Sequence, residues 1–372
     1  MDLTDLRDRI DAVDRQIIAL LAERLRIVEE VALAKLEAAS PFRDRGREER
    51  LLLRLREHAT AAGLDAHQVE RLYRVVMDMS VAHQEATVRN RPDAPLRVAY
   101  QGVEGSYSHL TAQRRYGARP GGALLSGFDS FREAAEAVAT GAADLALLPI
   151  ENTTAGSINE TYDLLAAGHL FITGEVVSAI EHCLLALPGV ELAELRTISS
   201  HPQALAQCHA FFAAHPHLTA RPELDTAGAA RRVVELGDRT QGAIASAAAA
   251  SRYGLAIVAT GIQSATGNAT RFVEIALRPA PVAPDAVVKT SLVVSLADRP
   301  GALGDILQRF AARGLSLTKI ESRPIPSAPF TYRFYVDVIG HAASEPFQQA
   351  LADVAGLTTE LRILGTYPAD QR

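Results

Sequence analysis

The sequence predicts a multidomain chain: an all-α segment first, a two-lobed α/β body next, and a small α+β module last. Three observations predict it. Charge and glycine are unevenly spread. Of the first 95 residues 34 are charged, against 48 of the remaining 277, and of 25 glycines only Gly46 and Gly63 lie in the first part. Many charges with few glycines read as helix. Two proline-rich breaks, at residues 89–95 and 278–284, divide the chain into segments 1–90, 96–279 and 287–368. Beyond the first break, short β-branched runs alternate with alanine-rich helical ones, as in an α/β fold with largely parallel sheets.

The first element is a long helix. Apolar residues fall at Leu3, Leu6, Ile10, Val13, Ile17, Leu20, Ile27, Val31 and Ala34, in steps of three and four with one gap at Arg24. Such a stripe packs against other helices. Lys35 lies eleven residues after Arg24, three turns on, at nearly the same angle around the helix. Arg24 reads either as a register-setting or snorkelling side chain, or, with Lys35, as an anion site. A charged turn, Arg43-Asp44-Arg45-Gly46-Arg47-Glu48-Glu49-Arg50, leads into a helix at 51–55, and a third helical run, 69–82, continues through Ser80 to Gln84.

In the middle segment, strands are expected at 96–100, 145–150, 171–177, 196–200 and 257–260. The first runs into Gln101-Gly102-Val103-Glu104-Gly105-Ser106-Tyr107-Ser108-His109. Its GxxG spacing is not a dinucleotide fingerprint, and no Walker A sequence occurs. Glu151-Asn152-Thr153-Thr154 and Asn268-Ala269-Thr270-Arg271 also follow or open strands. Hydroxyls and amides at strand-to-helix turns fit an anion held at helix N-termini, although each alone also fits a cap or turn. The last segment reads strand 289–296, helix from near Gly301, strands 315–322 and 332–338, helix from near Ala343, strand 358–364.

Composition excludes several classes. A net charge of −6 argues against a nucleic-acid binder, and no Trp with 5% aromatics argues against a base-stacking platform. No apolar run approaches the ~20 residues of a membrane span. No secretory h-region is visible, and Cys183 and Cys208 make no disulfide framework, so the expected setting is the cytoplasm. The sequons at Asn152, Asn159 and Asn268 are then chance. Cys208, His209, His215 and His217 match no usual zinc spacing, and no metal is expected.

Residues 3–86 resemble the all-helical class of chorismate mutase, on Arg7, Arg24, Lys35, Asp44, Arg47, Glu48, Ser80 and Gln84. The reaction is a unimolecular rearrangement of a dianion. It needs a compact conformer and stabilisation of charge on the ether oxygen, not a nucleophile. The resemblance implies that Arg24 and an Arg7 from a partner subunit clamp two carboxylates. Lys35 and Gln84 would then serve the ether oxygen, Glu48 and Asp44 the ring hydroxyl, and Arg47 and Ser80 would complete the pocket.

Residues 96–279 resemble prephenate dehydratase through Gly-X-X-Gly-Ser-Tyr-Ser-His, Pro-Ile-Glu-Asn-Thr-X-X-Gly, Ser-His-Pro-Gln and Thr-Arg-Phe. This implies two α/β subdomains, arranged as in a periplasmic solute-binding protein, with the site in the cleft. Thr270 would be essential, Asn152 and Gln207 its hydrogen-bonding partners, and Ser106, Ser108, His109 and Arg271 cleft residues.

Residues 287–368 resemble an ACT domain, a ferredoxin-like βαββαβ sensor, through Asp298-Arg299-Pro300-Gly301-Ala302-Leu303 and the Glu321-Ser322-Arg323-Pro324 string; Ser316 stands where the family commonly has Asn. It implies feedback inhibition by L-phenylalanine bound near Gly301, Ala302, Leu303, Glu321, Ser322 and Arg323. The three resemblances together imply a homodimer or higher homo-oligomer acting on chorismate and prephenate. They imply no cofactor, no metal, no nucleic acid and no membrane. Inward-facing cations would compensate the anionic substrates in the pockets. A non-catalytic solute-binding protein with a sensor and a helical dimerisation arm is the competing class, and an enzyme with dehydratase activity alone the nearer alternative.

Overall fold

The computed structural model describes residues 2–37, 44–89, 94–283, 286–296, 299–325 and 328–370. Pro41 and Arg43, residues 90–93 of the first break, Pro284 of the second and Asp298 lie outside the described residues. The described chain forms two compact units.

The first unit is three helices, α1 (Leu3–Glu37), α2 (Arg45–Ala61) and α3 (Ala66–Arg89). Asp44 caps α2, its carboxylate accepting from the Arg47 N–H at 3.0 Å. Both α1 and α2 pack on α3 around buried Val28, Ala32, Leu52, Ala59, Val76 and Met77. Within one chain most of the apolar seam is uncovered. Only the last turns of α1 are covered, on a face rotated onto Val28 and Ala32. Leu3, Leu6, Ile10, Val13, Ile17, Leu20 and Ile27 are exposed, Leu20 at 64%.

In chain order the second unit begins β1 (Leu96–Gln101), α4 (Tyr107–Tyr116), β2 (Ala123–Phe128), α5 (Phe131–Ala139), β3 (Leu145–Asn152), β4 (Gly156–Ser157), α6 (Asn159–Ala167) and β5 (Phe171–Ala179). There follow β6 (Cys183–Ala186), β7 (Thr197–Ser200), α7 (Pro202–Gln207), α8 (His209–Ala214), β8 (Thr219–Pro222), α9 (Thr226–Leu236), β9 (Gln241–Ala245), α10 (Ala247–Tyr253), β10 (Ala256–Ala259) and β11 (Ala269–Ala276). The end is β12 (Val288–Leu296), α11 (Ala302–Ala312), β13 (Ser316–Ile325), β14 (Ala328–Ile339), α12 (Glu345–Ala355) and β15 (Thr358–Pro368).

Two α/β lobes result. The first has the sheet order β2-β1-β3-β11-β5, and the second β10-β6-β9-β7-β8. The chain leaves the first lobe after β5 and returns through β11, so two crossovers join them. The sheets are mixed, not largely parallel: β11 runs antiparallel to both β3 and β5, and β6 antiparallel to both β9 and β10. The strands that enter and leave the second lobe carry this reversal.

The C-terminal sheet has the order β13-β14-β12-β15, with α11 and α12 on one face around Leu292, Ile306, Phe310, Val336 and Phe347. Its other face lies on the first lobe, where Val293, Tyr335, Leu364 and Tyr367 share a buried cluster with Leu148, Tyr162 and Ile172. No helix among the described residues is long and apolar enough to cross a membrane.

Candidate functional site

Two cavities collect the polar residues singled out above. The first, of about 230 Å³, lies among the three helices and is lined by Arg24, Lys35, Asp44, Arg47, Glu48, Ser80 and Gln84. Ser80 donates to the Val76 carbonyl one turn back at 2.6 Å, and Arg24 of α1 donates to the Ser80 hydroxyl of α3. The seam arginine is therefore turned inward and held. Gln84 Nε2 donates to the Ser80 carbonyl at 3.3 Å, while its Oε1 is buried with no hydrogen-bond partner among the described residues. Three cations and two carboxylates give the wall a surplus of one positive charge. Arg7 is not there. It lies 17 residues from Arg24 along α1, about 26 Å at ~1.5 Å per residue.

The second cavity, of about 490 Å³, is the cleft between the two lobes. Ser106, Ser108, Asn152, Gln207 and Thr270 all line it. Asn152 ends β3 and Thr270 is the second residue of β11, and the two are paired across the strands. The Asn152 amide has one orientation. Its Oδ1 faces the backbone N–H groups of Thr154 (3.0 Å) and Ala155 (2.9 Å), which can only donate. Its Nδ2 therefore faces Thr270 Oγ1 at 2.9 Å and donates to it. The Thr270 hydroxyl accepts from the amide and keeps its own proton for a group in the cleft.

No Lys or Arg is among the described residues lining this cleft, which corrects the expectation of compensating cations here. The positive ends of helices take their place. The starts of α4 (Ser106, Ser108), α5 (Ser130, Phe131), α6 (Ile158, Glu160) and α9 (Asp225, Thr226) all lie in the wall. Each helix start carries a partial positive charge, and Ser106, Ser130 and Asp225 already take one backbone N–H each at α4, α5 and α9. The carboxylates of Asp129, Glu160 and Asp225 share the wall, so an anion would have to be met by the remaining backbone N–H groups, amides and hydroxyls.

Two expected cleft residues are elsewhere. His109 does not line the cavity. Its Nδ1 accepts from the Gly105 N–H at 3.2 Å and its ring packs on Tyr100. Arg271 follows Thr270 in a strand, and successive strand side chains face opposite ways. Its guanidinium meets Asp337 at 2.7 Å and Glu175 at 3.1 Å, against the C-terminal sheet.

Alternation also divides the Glu321-Ser322-Arg323 string. Glu321 accepts from Ser157, a cleft residue, and Arg323 pairs with Asp163 at 2.7 Å. Both face the first lobe. Ser322 faces the helix-bearing side, where Gly301, with φ +81°, precedes α11 and Ala302 and Leu303 open it. Within one chain, Glu321 and Arg323 thus do not share a face with residues 301–303.

Comparison with known proteins places this geometry. A family model described as prephenate dehydratase matches residues 98–280, one described as chorismate mutase type II residues 6–85, and one described as ACT domain residues 290–356. The bifunctional chorismate mutase/prephenate dehydratase of Enterobacter agglomerans is 38% identical, covering 99% of this chain and 96% of that protein. That of Escherichia coli K12 is 36% identical over the same shares. This chain belongs to the bifunctional chorismate mutase/prephenate dehydratase family. It is an enzyme with both activities. The solved prephenate dehydratase of Arthrobacter aurescens, in complex with L-Phe, is 33% identical with a TM-score of 0.67, covering 74% of this chain and 90% of that one.

In this bifunctional enzyme, sequence reasoning missed His182 as a member of the cleft network and named Tyr107 and Thr154 only within longer polar stretches. His182 Nε2 lies 2.8 Å from Gln207 Oε1, and the Tyr107 hydroxyl lies 2.9 Å from His182 Nδ1. Asn268, two residues before Thr270, joins the same network by accepting from Asn152 Nδ2 at 2.8 Å. A lone histidine between two strands carries no signal of that role. Among the described residues no group of three potential metal ligands occurs. Cys208 is a buried thiol whose pKa burial pushes up to about 12.

Proposed function

We propose that the helical cavity is the mutase site, with Arg24 and Arg7 of the partner subunit clamping the two carboxylates of chorismate and Lys35 and Gln84 donating to its ether oxygen. Glu48 and Asp44 take the ring hydroxyl; Arg47 and Ser80 complete the wall. The convergence of Arg24, Lys35, Arg47, Glu48 and Gln84 on one cavity carries this reading. Adding the partner's Arg7 raises the local surplus to two positive charges, which matches a dianion. Seven large apolar residues of the α1 seam are exposed, and fully burying each is worth about 1.5–3 kcal/mol. That supports a homodimer in which a second α1 covers them.

The cleft then removes water and carbon dioxide from prephenate. Helix N-termini hold the carboxylates, and the Thr270 hydroxyl, oriented by Asn152, hydrogen-bonds the departing hydroxyl. The segment 287–368 senses L-phenylalanine and inhibits the dehydratase, with Gly301, Ala302, Leu303, Glu321, Ser322 and Arg323 as its sensing residues. Segments 1–90 and 96–279 are the two catalytic domains, and the enzyme works in the cytoplasm without cofactor or metal.

Mixed dimers test the shared mutase site. Arg7→Ala and Arg24→Ala homodimers should both lose mutase activity. A heterodimer of the two keeps one site with both arginines, so about half of the wild-type activity should return. No recovery in isolated heterodimers would refute an Arg7 supplied in trans.

A further inference from the structure

His182 sits in the crossover between β5 and β6, is 2% exposed, and lines the cleft. Its bonds can be assigned a direction by following donors outward from Asn152. Asn152 Oδ1 is turned to two backbone N–H groups. Gln207 approaches that oxygen at 3.2 Å and the Thr154 hydroxyl at 2.5 Å through its Nε2. Gln207 Oε1 therefore points the other way, accepting from Asn268 Nδ2 at 3.2 Å and lying 2.8 Å from His182 Nε2. Two acceptors cannot bond each other, so the imidazole carries its proton on Nε2. Nδ1 then carries no proton and lies 2.9 Å from the Tyr107 hydroxyl, whose single proton is also claimed by the Glu181 carbonyl at 2.6 Å. Burial holds the His182 pKa below the usual histidine value, against the hydrogen bond to Gln207, and the neutral ring is the form this pattern needs.

We propose that His182, as its Nε2–H tautomer, is a positioning residue for prephenate dehydration. It fixes the Gln207 amide, which with Thr154 and Asn268 holds Asn152 with its N–H on the Thr270 hydroxyl. The proposal rests on the cleft reading above. Gln207 is the one polar side chain of the second lobe that bonds Asn152 directly among the described residues. Without the His182 N–H its carbonyl end keeps only the longer bond to Asn268, and the amide can turn over. An inverted Gln207 sets its carbonyl oxygen against Asn152 Oδ1, which two backbone N–H groups keep in place, and the repulsion shifts the Asn152 amide. Its N–H then no longer meets the Thr270 hydroxyl squarely, and the Thr270 proton loses its aim at the substrate.

The test is steady-state kinetics on the full chain, with the mutase as internal control. His182→Phe fills the space but has no N–H. It should lower dehydratase kcat at least 10-fold with KM for prephenate within about twofold of wild type, and leave mutase kcat unchanged. His182→Gln restores an N–H donor and should recover most of the lost kcat. Wild-type kcat in His182→Phe would overturn the proposal. So would an equal loss of kcat in His182→Gln, because packing rather than the donated hydrogen bond would then be at work. If Thr270→Ala, assayed alongside, dehydrated prephenate normally, the cleft reading itself would fall, separately from the role of His182.

Discussion

Three imidazoles of the catalytic lobes, His109, His182 and His201, are held below the usual histidine value, in each case chiefly by burial. Each binds its proton less readily folded than unfolded, where the value is about 6.5. Below that value the unfolded chain takes up more protons, so stability falls with falling pH and is fully present above it. The urea midpoint of the second unit should accordingly drop between about pH 7.5 and pH 5.5. His182→Gln should shallow that slope. An unchanged slope in this variant would show that His182 stays as accessible to protons when folded as when unfolded. At this scale the sequence was informative wherever a residue type was costly: a guanidinium on an apolar helix seam, an amide beside a strand end. It was silent where a residue acts through a second one, as His182 does through Gln207.

The element scale explains why Arg271 lies outside the cleft. Thr270 and Arg271 are neighbours in β11, and the two-residue period of a strand sends one into the cleft and the other beneath it. Taking Thr-Arg-Phe as one motif with both polar residues in the cleft hid that separation. The same period splits Glu321 from Ser322 on β13. Strands built from small residues, such as β9 with the sequence Gln-Gly-Ala-Ile-Ala, lacked the β-branched runs by which other strands could be read. Gly365 of β15 has its own reason. A Cβ there would lie 2.0 Å from the carbonyl oxygen of Ile172 on β5, so only glycine lets the C-terminal sheet approach the first lobe. Gly365→Ala should destabilise the second unit by about 1–3 kcal/mol, which calorimetry would record as a fall of roughly 2–4 °C per kcal/mol in Tm. The mutase should keep its activity. An unchanged Tm would mean that the two strands separate at no cost.

Across the whole molecule, a chain of net charge −6 has two cavities with different linings. The helical cavity is lined by side-chain cations, which charge patterning on α1 made legible. The cleft has helix N-termini in its wall, which no count of Lys and Arg can reveal, because their partial charge belongs to the backbone. The domain order was readable from composition and motifs, whereas the close docking of the C-terminal sheet on the first lobe depends on contacts between residues more than a hundred positions apart, such as Glu175 with Lys289. The most direct measurement is to feed chorismate to the full chain and to its Thr270→Ala variant, following prephenate and phenylpyruvate. The wild-type chain should deliver phenylpyruvate. The variant should accumulate prephenate at the wild-type rate and form no phenylpyruvate. Loss of both steps, or phenylpyruvate from the variant, would contradict two separate sites with Thr270 essential to the second.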